Sequence, residues 1–398
     1  VEGVSDRVSA ELMTNSLKTR FSGRLALQQR VLPCYRARFF DSLAAACQGG
    51  LSVIAGQPGE DEAIAVIDRL SVAEYKLVHN RHFWRVGAPI YLCWQSGILD
   101  WLERWQPDAL IVEANSRILS TWWALRWMHE RGLPVVGWGL GAPLLPKSSQ
   151  LGAVIDGIRR WDRSTFIHSL DALIAYSQRG AEQYRSLGFP AERIYVAPNA
   201  VSPRPAAPPP ARPARSGERP VVLFVGRLQE RKRVDHLIQA CAALPERLQP
   251  RLWIVGDGPA RSKLELLAES VYPRAEFFGF RHGSDLAPLF VGADLFVLPG
   301  TGGLAIQEAM SFALPVIAAE GDGTQEDLVS PRNGWLVPPD DLPALAHTLQ
   351  IALADPNRLR RMGEASYQTV ATYANIEHMV AVFVQALQAA SRILRGSK

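Results

Sequence analysis

Residues 296–310 read FVLPGTGGLAIQEAM, an apolar run that enters a glycine-rich turn and leaves it as a helix carrying one acid, Glu308. A short apolar run bounded by a turn signal reads as a buried strand, and strands that alternate with helices build a parallel sheet. Gly302 and Gly303 have no Cβ to obstruct approach, so their N–H groups can come close to a phosphate, and a helix starting near Leu304 adds its positive end. Glu308 falls little more than one turn into that helix, where its carboxylate can accept hydrogen bonds from ribose hydroxyls. The structural alternative is a capping or ion-paired acid.

The same alternation extends along the chain. PVVLFV, RLWIV, AEFF, DLFVL and PVIAA in the second half, and RLALQ, LSVIA, ALIVE, PVVGW, ALIAY and RIYV in the first, are each followed by a loop or a helical pattern. Between the halves lies SPRPAAPPPARPARSGER, residues 202–219, rich in Pro, Ala and Arg and lacking any large apolar side chain. Such a segment prefers extended geometry and reads as a linker. The expectation is an α/β protein of two doubly wound, Rossmann-like domains, residues 1–201 and 220–375, facing each other across a cleft.

Open α/β sheets bind ligands beyond the carboxyl ends of their strands. Gly226 and Arg227 follow one strand, Gly256, Asp257 and Gly258 the next, Phe280 and Arg281 the third, and Gly300 to Gly303 the fourth. In the first half Glu113, Asn115 and Arg117 hold the equivalent place. Arg227 and Lys232 beside a helix start suit a diphosphate, although Arg231 and Arg233 leave a solvated basic turn as the plain alternative. Arg261 stands where a dinucleotide fingerprint needs its third glycine, and no GxxxxGK[ST] occurs, so NAD and an ATP-hydrolysing P-loop are both disfavoured. Thr324 to Asp327 reads as a capping box.

Composition narrows the field. The 398 residues exceed what one core organises and are 47% hydrophobic, with 43 basic against 39 acidic residues, a balance that argues against a general nucleic-acid binder. Cys34, Cys47, Cys93 and Cys241 form no CxxC pair and read as reduced thiols of a cytoplasmic protein. VEGVSDRVSA shows no secretory pattern, and no apolar run reaches the ~18–20 residues of a spanning helix. Asp340-Asp341 falls at a helix start rather than a strand end, so no metal site is expected.

GRL with Lys232, GDGP, GGLAIQEAM, LPVIAA and NGWLVPPDD occur in the order and spacing of the GT-B glycosyltransferases, and the second half resembles glycosyltransferase family 4 in particular. DALIAYSQRGAEQYRSLGFPAERIYVAPNAV, residues 171–201, resembles the same family. The resemblance implies a retaining transferase that moves a sugar from a nucleotide-diphosphate sugar, a UDP- or GDP-sugar first, to a glycan, glycolipid or other acceptor, with no cofactor. By position Arg227, Lys232 and Glu308 would be the catalytic set, with Lys232 and Arg227 on the diphosphate and Glu308 on the ribose. Gly226, Gly256, Asp257, Gly300, Gly302, Gly303 and Leu304 would line the donor, and Phe280 and Arg281 would flank the base. Glu113, Asn115 and Arg117 are the acceptor-side candidates. A helix within 376–398 would pack back onto the first domain.

Two positions depart from the family. Gly300 stands where the first acid of E-x7-E belongs, and Leu140 stands near the place of a His that many relatives carry. An epimerase or hydrolase on the same scaffold, and a non-catalytic binder of nucleotide sugars or glycans, therefore stay open beside the transferase. Nine of eleven tryptophans lie in the first half, with YRARFF, RHFWR and RWQPD. They admit peripheral contact of the amino-terminal domain with the inner face of a membrane, against the alternative that Trp122, Trp123 and Trp127 are core on one helix.

Overall fold

The computed structural model describes residues 20–142, 163–209 and 219–396, apart from residues 60, 61, 63, 87, 89, 90 and 282. The stretch VEGVSDRVSA and residues 210–218 of the proline-rich segment lie outside the described residues. Two compact units form, one from Val1–Ala197 with Ile376–Lys398 and one from Pro198–Asn375.

The first unit contains β1 (Leu25–Val31), β2 (Leu51–Gly56), β3 (Glu74–Val78), β4 (Asn80–Phe83), β5 (Leu92–Gln95), β6 (Ala109–Glu113), β7 (Val135–Gly139), β8 (Ala172–Ala175) and β9 (Ile194–Val196). Seven of these form one parallel sheet in the order β3-β2-β1-β6-β7-β8-β9, while β4 and β5 pair antiparallel as a separate hairpin. β3, β4 and β5 were not foreseen from sequence. β3 is an edge strand with mostly exposed side chains, and the hairpin turns polar residues, Asn80 and Gln95, into its buried positions. Neither gives the hydrophobic pattern by which strands are recognised.

Sheet polarity in this unit reaches the core itself. Gln28, buried in the middle of β1, donates to Gln95 Oε1 at 2.8 Å and accepts from Thr121 Oγ1 at 2.9 Å. Gln95 in turn donates to Gln29 O and Asn80 Oδ1. Gln28, Gln95 and Asn80 thus partner one another, which is the condition for placing such amides in a core.

The last helix, Ile376–Gly396, supplies the first unit with Met379, Phe383 and Leu387, all buried. The Phe383 ring lies 4.9 Å from Phe39 and 5.0 Å from Trp138 in edge-on contacts. Such pairs add to the burial energy of the rings by about 0.5–1.5 kcal/mol each.

In the second unit β10 (Val221–Val225), β11 (Arg251–Val255), β12 (Ala275–Gly279), β13 (Leu295–Leu298), β14 (Val316–Ala319) and β15 (Gly334–Val337) form a parallel sheet ordered β12-β11-β10-β13-β14-β15. β13 and β14 are buried along their whole length, as expected of a sheet covered on both faces. Strand order reverses between β10 and β13, and in the first unit between β1 and β6. These reversals open the crevices in which doubly wound sheets hold ligands.

Candidate functional site

Beyond β10 and β11 the backbone is drawn together by its own hydrogen bonds. Gly226 N donates to Val255 O at 3.0 Å, Leu228 N to Asp257 O at 2.9 Å, and Gly256 N to Gly279 O at 2.8 Å. Gly256 and Gly258 adopt φ of 134° and 154°, and a Cβ on either would run into the Gly226 or Leu228 backbone. The close approach of the chain to itself thus demands glycine there before any ligand is considered. A cavity of about 430 Å³ opens beside them, bounded by Gly226, Arg227, Gly256, Asp257, Phe280 and Arg281. Phe280 is 70% exposed at its rim. The Asp257 carboxylate is engaged locally, by Gly258 N at 2.7 Å and Arg261 at 3.0 Å, and these bonds hold its pKa below the usual range.

On the other side of β10 the turn 230–232 is stitched to the loop after β13. Thr301 N donates to Arg231 O at 3.0 Å, Arg231 Nη1 to Thr301 Oγ1 at 2.9 Å, and Lys232 Nζ to Thr301 O at 2.5 Å. Gln325 Nε2 holds the carbonyl of Gly302 at 2.8 Å. Burial, and secondarily the charge of Arg231, lower the Lys232 pKa to about 8. Gly302, at φ 118°, brings the backbone against this amine, so the space a Cβ would take is already filled by Lys232 Nζ. Gly300 is buried, and a Cβ there would come within 2.7 Å of Lys232 Cα. The departure from E-x7-E therefore has a steric counterpart: this backbone leaves no room at position 300 for any side chain.

The helix Leu304–Ser311 begins behind this loop with Gly303 as its N-cap and no side-chain cap. Ser177 caps the helix Gln178–Ser186, Asp341 the helix Leu342–Leu353 and Asp355 the helix Pro356–Thr372, whereas Leu304–Ser311, like Ala37–Ala45 and Arg261–Val271, starts without a side-chain cap. An uncapped start leaves N–H donors and the positive end of the helix for an anion. Glu308, in the second turn, is half-buried and has no capping or ionic partner, and burial alone pushes its pKa up. The ion-paired alternative for Glu308 is not what forms. Its carboxylate is an acceptor awaiting donors.

In the first unit Glu113 ends β6 and accepts the backbone N–H of Arg30 at 2.6 Å. Burial raises its pKa, against the opposing pull of that bond and of the Arg30 and Arg36 charges. Asn115 and Arg117 are used differently. Asn115 Oδ1 receives Arg117 N at 3.2 Å, and Arg117 O receives Cys93 N at 2.8 Å, so this turn braces the β4–β5 hairpin. Sequence reasoning missed the residues around Glu113. Arg30 forms a two-pronged pair with Glu62, at 2.5 and 2.7 Å, and Arg36 lies buried over the Trp138 ring, 4.5 Å from its centroid. The only signal was YRARFF directly after a strand.

Some expectations change. The capping box at Thr324 does not form: Gly323 is the N-cap, and Thr324 turns its N–H and hydroxyl to Asp322 Oδ1 at 3.0 and 2.6 Å. An Asx turn has taken the place of the box. Of the three tryptophans on one helix, Trp127 is buried, Trp122 half-buried and Trp123 48% exposed, so only part of that stripe is core. Asp341 caps its helix through Ala344 N at 2.8 Å and Asp340 pairs with Arg233 at 2.6 Å. Among the described residues no group of three or more His, Cys, Asp or Glu is arranged to hold a metal, and no helix is long and apolar enough to cross a membrane.

Comparisons with known proteins bear on both units. Residues 210–369 match the family model described as glycosyl transferases group 1, and residues 51–204 match that of glycosyltransferase family 4. A lipopolysaccharide core biosynthesis glycosyltransferase, LpsE of Rhizobium meliloti, is 27% identical over 230 residues, 56% of this chain and 66% of its own. A GDP-mannose-dependent alpha-mannosyltransferase of Mycolicibacterium smegmatis is 43% identical over 126 residues, 31% of each chain. In both relatives the matched stretch falls short of two thirds of the full length. The crystal structure of Anabaena HepE in complex with UDP aligns with TM-score 0.66 at 18% identity, over 92% of this chain and 99% of that one, a likeness of fold.

Proposed function

This chain belongs to the GT-B glycosyltransferases of family 4, and we propose that it moves a sugar from a nucleotide-diphosphate sugar to a glycan or glycolipid acceptor of the cell surface with retention of configuration. The observation that carries the reading is the arrangement around β10: Lys232 Nζ packed against Gly302, an uncapped helix behind it, and an unpartnered Glu308 carboxylate. Lys232 and Arg227 share the charge of the diphosphate with the N–H groups from Gly302 to Leu304. Glu308 accepts the ribose hydroxyls, and Phe280 and Arg281 flank the base.

Transfer then needs no enzymic nucleophile. The bond from the anomeric carbon to the leaving phosphate oxygen breaks as the acceptor oxygen bonds to the same face of that carbon, and the departing phosphate takes the acceptor's proton. The chain's part is to stabilise the charge that grows on the phosphate, the largest contribution such a site can make. Glu113, Asn115 and Arg117 belong to the acceptor side. Membrane contact, where it occurs, runs through the first unit, whose hairpin carries exposed Phe83 and Trp84 between Arg81 and Arg85.

The likeness to a GDP-mannose-dependent enzyme and to a UDP complex supports a GDP- or UDP-sugar donor. Calorimetric titration of UDP, GDP, ADP and TDP into the wild-type chain and into Glu308→Ala tests the site. One diphosphate should bind well above the others and lose about tenfold in the variant. Equal, weak binding of all four would sink the donor assignment.

A further inference from the structure

Arg36 and Trp138 meet at the point where strand order reverses in the first unit. Arg36 follows β1 in the turn Cys34–Arg36, is 4% exposed, and stacks its guanidinium over the Trp138 ring. Its Nη2 reaches Tyr176 Oη at 3.4 Å, at the far limit of a hydrogen bond, while Nη1 is buried with no partner. Trp138 is 1% exposed, and its Nε1 is also buried with no partner. Two unsatisfied donors, one of them on a cation, thus stand in one aromatic enclosure. Glu113 influences Arg36 through its charge, yet the two form no ion pair, and one Glu113 oxygen is taken by Arg30 N.

A buried donor without a partner forfeits about 1–3 kcal/mol, and more when it is charged, so native chains leave such groups for a reason. What Arg36 Nη1 and Trp138 Nε1 lack is an acceptor oxygen, and the cation favours one bearing negative charge. The helix Ala37–Ala45 runs on directly from the turn Cys34–Arg36, with the Ala37 N–H bonded to Cys34 O, and no acid stands in its first turn to neutralise the guanidinium. Tyr35, 43% exposed and 5.5 Å from the guanidinium, is the solvent-facing ring around Arg36.

We infer that Arg36 and Trp138 form an oxyanion site that holds a phosphate or carboxylate group of the acceptor. The assignment of that anion to an acceptor rests on the transferase reading above; the anion site itself does not. The acceptor is accordingly an anionic glycan or a phosphate-bearing lipid carrier.

The test separates the two ideas by measuring binding without turnover. Inorganic phosphate and, separately, acetate are titrated into the Lys232→Ala chain, in which the donor-side cation is gone, with tryptophan fluorescence and the thermal midpoint as readouts. A saturable response to at least one anion is expected, weakened about tenfold by adding Arg36→Gln and several-fold by adding Trp138→Phe, which keeps a ring and deletes the N–H. Response to phosphate alone points to a phosphorylated acceptor, and response to acetate alone to a uronic-acid type. No saturable response to either, or an undiminished response in the folded Arg36→Gln or Trp138→Phe chain, overturns the site. Failure of sugar transfer with intact, Arg36-dependent anion binding counts against the transferase reading instead.

Discussion

The two reversals of strand order, one in each unit, solve the same problem with different materials. At β10/β13 the second unit works largely with backbone: glycines at 256, 258, 300 and 302 let chain segments touch, and side chains such as Lys232, Arg231 and Gln325 stitch the loops around them. At β1/β6 the first unit works with side chains from four separate elements, Arg36, Glu113, Trp138 and Tyr176, packed into a buried polar and aromatic enclosure. A backbone cradle recognises what every nucleotide diphosphate shares. A side-chain enclosure can be rebuilt residue by residue, and suits the partner that differs from one enzyme to the next.

The comparison breaks most severely if the backbone cradle tolerates side chains. Gly300→Glu, which restores the family's acid, should lower stability by upwards of about 3 kcal/mol and abolish nucleotide binding, because its Cβ meets the Lys232 backbone. A thermal melt and a nucleotide titration decide it, and a stable, more active variant would show that the loop can open. Next in size is Lys232→Ala, expected to cut turnover by about 10²–10³-fold with little change in the melting temperature. Full activity would remove the amine from the site.

Smaller effects sharpen the other half. Gln28→Leu leaves Gln95 and Thr121 without their buried partner and should destabilise the chain by about 2 kcal/mol in denaturant unfolding while nucleotide affinity holds. A neutral outcome would mean that the first unit's polar core is not cooperative. The gentlest probe is pH. Lys232, with its pKa lowered to about 8, loses its charge as pH rises through that value, so diphosphate affinity should be flat below pH 8 and fall several-fold by pH 9. Bound diphosphate favours the protonated amine, so proton uptake should accompany binding near pH 8. In Lys232→Arg the decline should vanish, since a guanidinium stays charged throughout.

Much of the second unit is legible in the sequence. A strand, a glycine pair and a helix are local events, and Gly302, Gly303, Lys232 and Glu308 lie close enough in sequence or motif to be read together. What remained hidden there was the meaning of Gly300, because its neighbour is the backbone of Lys232 and not anything nearby in sequence. The first unit was legible in its apolar strands and opaque in its site. Arg36 and Trp138 are a hundred residues apart, and no periodicity announces that a guanidinium will settle on an indole. β3 and the β4–β5 hairpin escaped for a related reason: exposed or hydrogen-bonded polar residues carry their pairing, so hydrophobic alternation never marks them.

The helix Ile376–Gly396 has a consequence for how the molecule comes to exist. Its Phe383 packs against both Phe39 and Trp138 in the first unit, yet the ribosome makes it after the whole second unit. During vectorial synthesis the later unit can therefore close its sheet first, while the earlier one waits with the Phe39 and Trp138 rings uncovered. The order of manufacture and the order of completion are reversed, and a chaperone that shields Phe39 and Trp138 in the interval would act on nascent chains long enough to include the second unit but not yet the last helix.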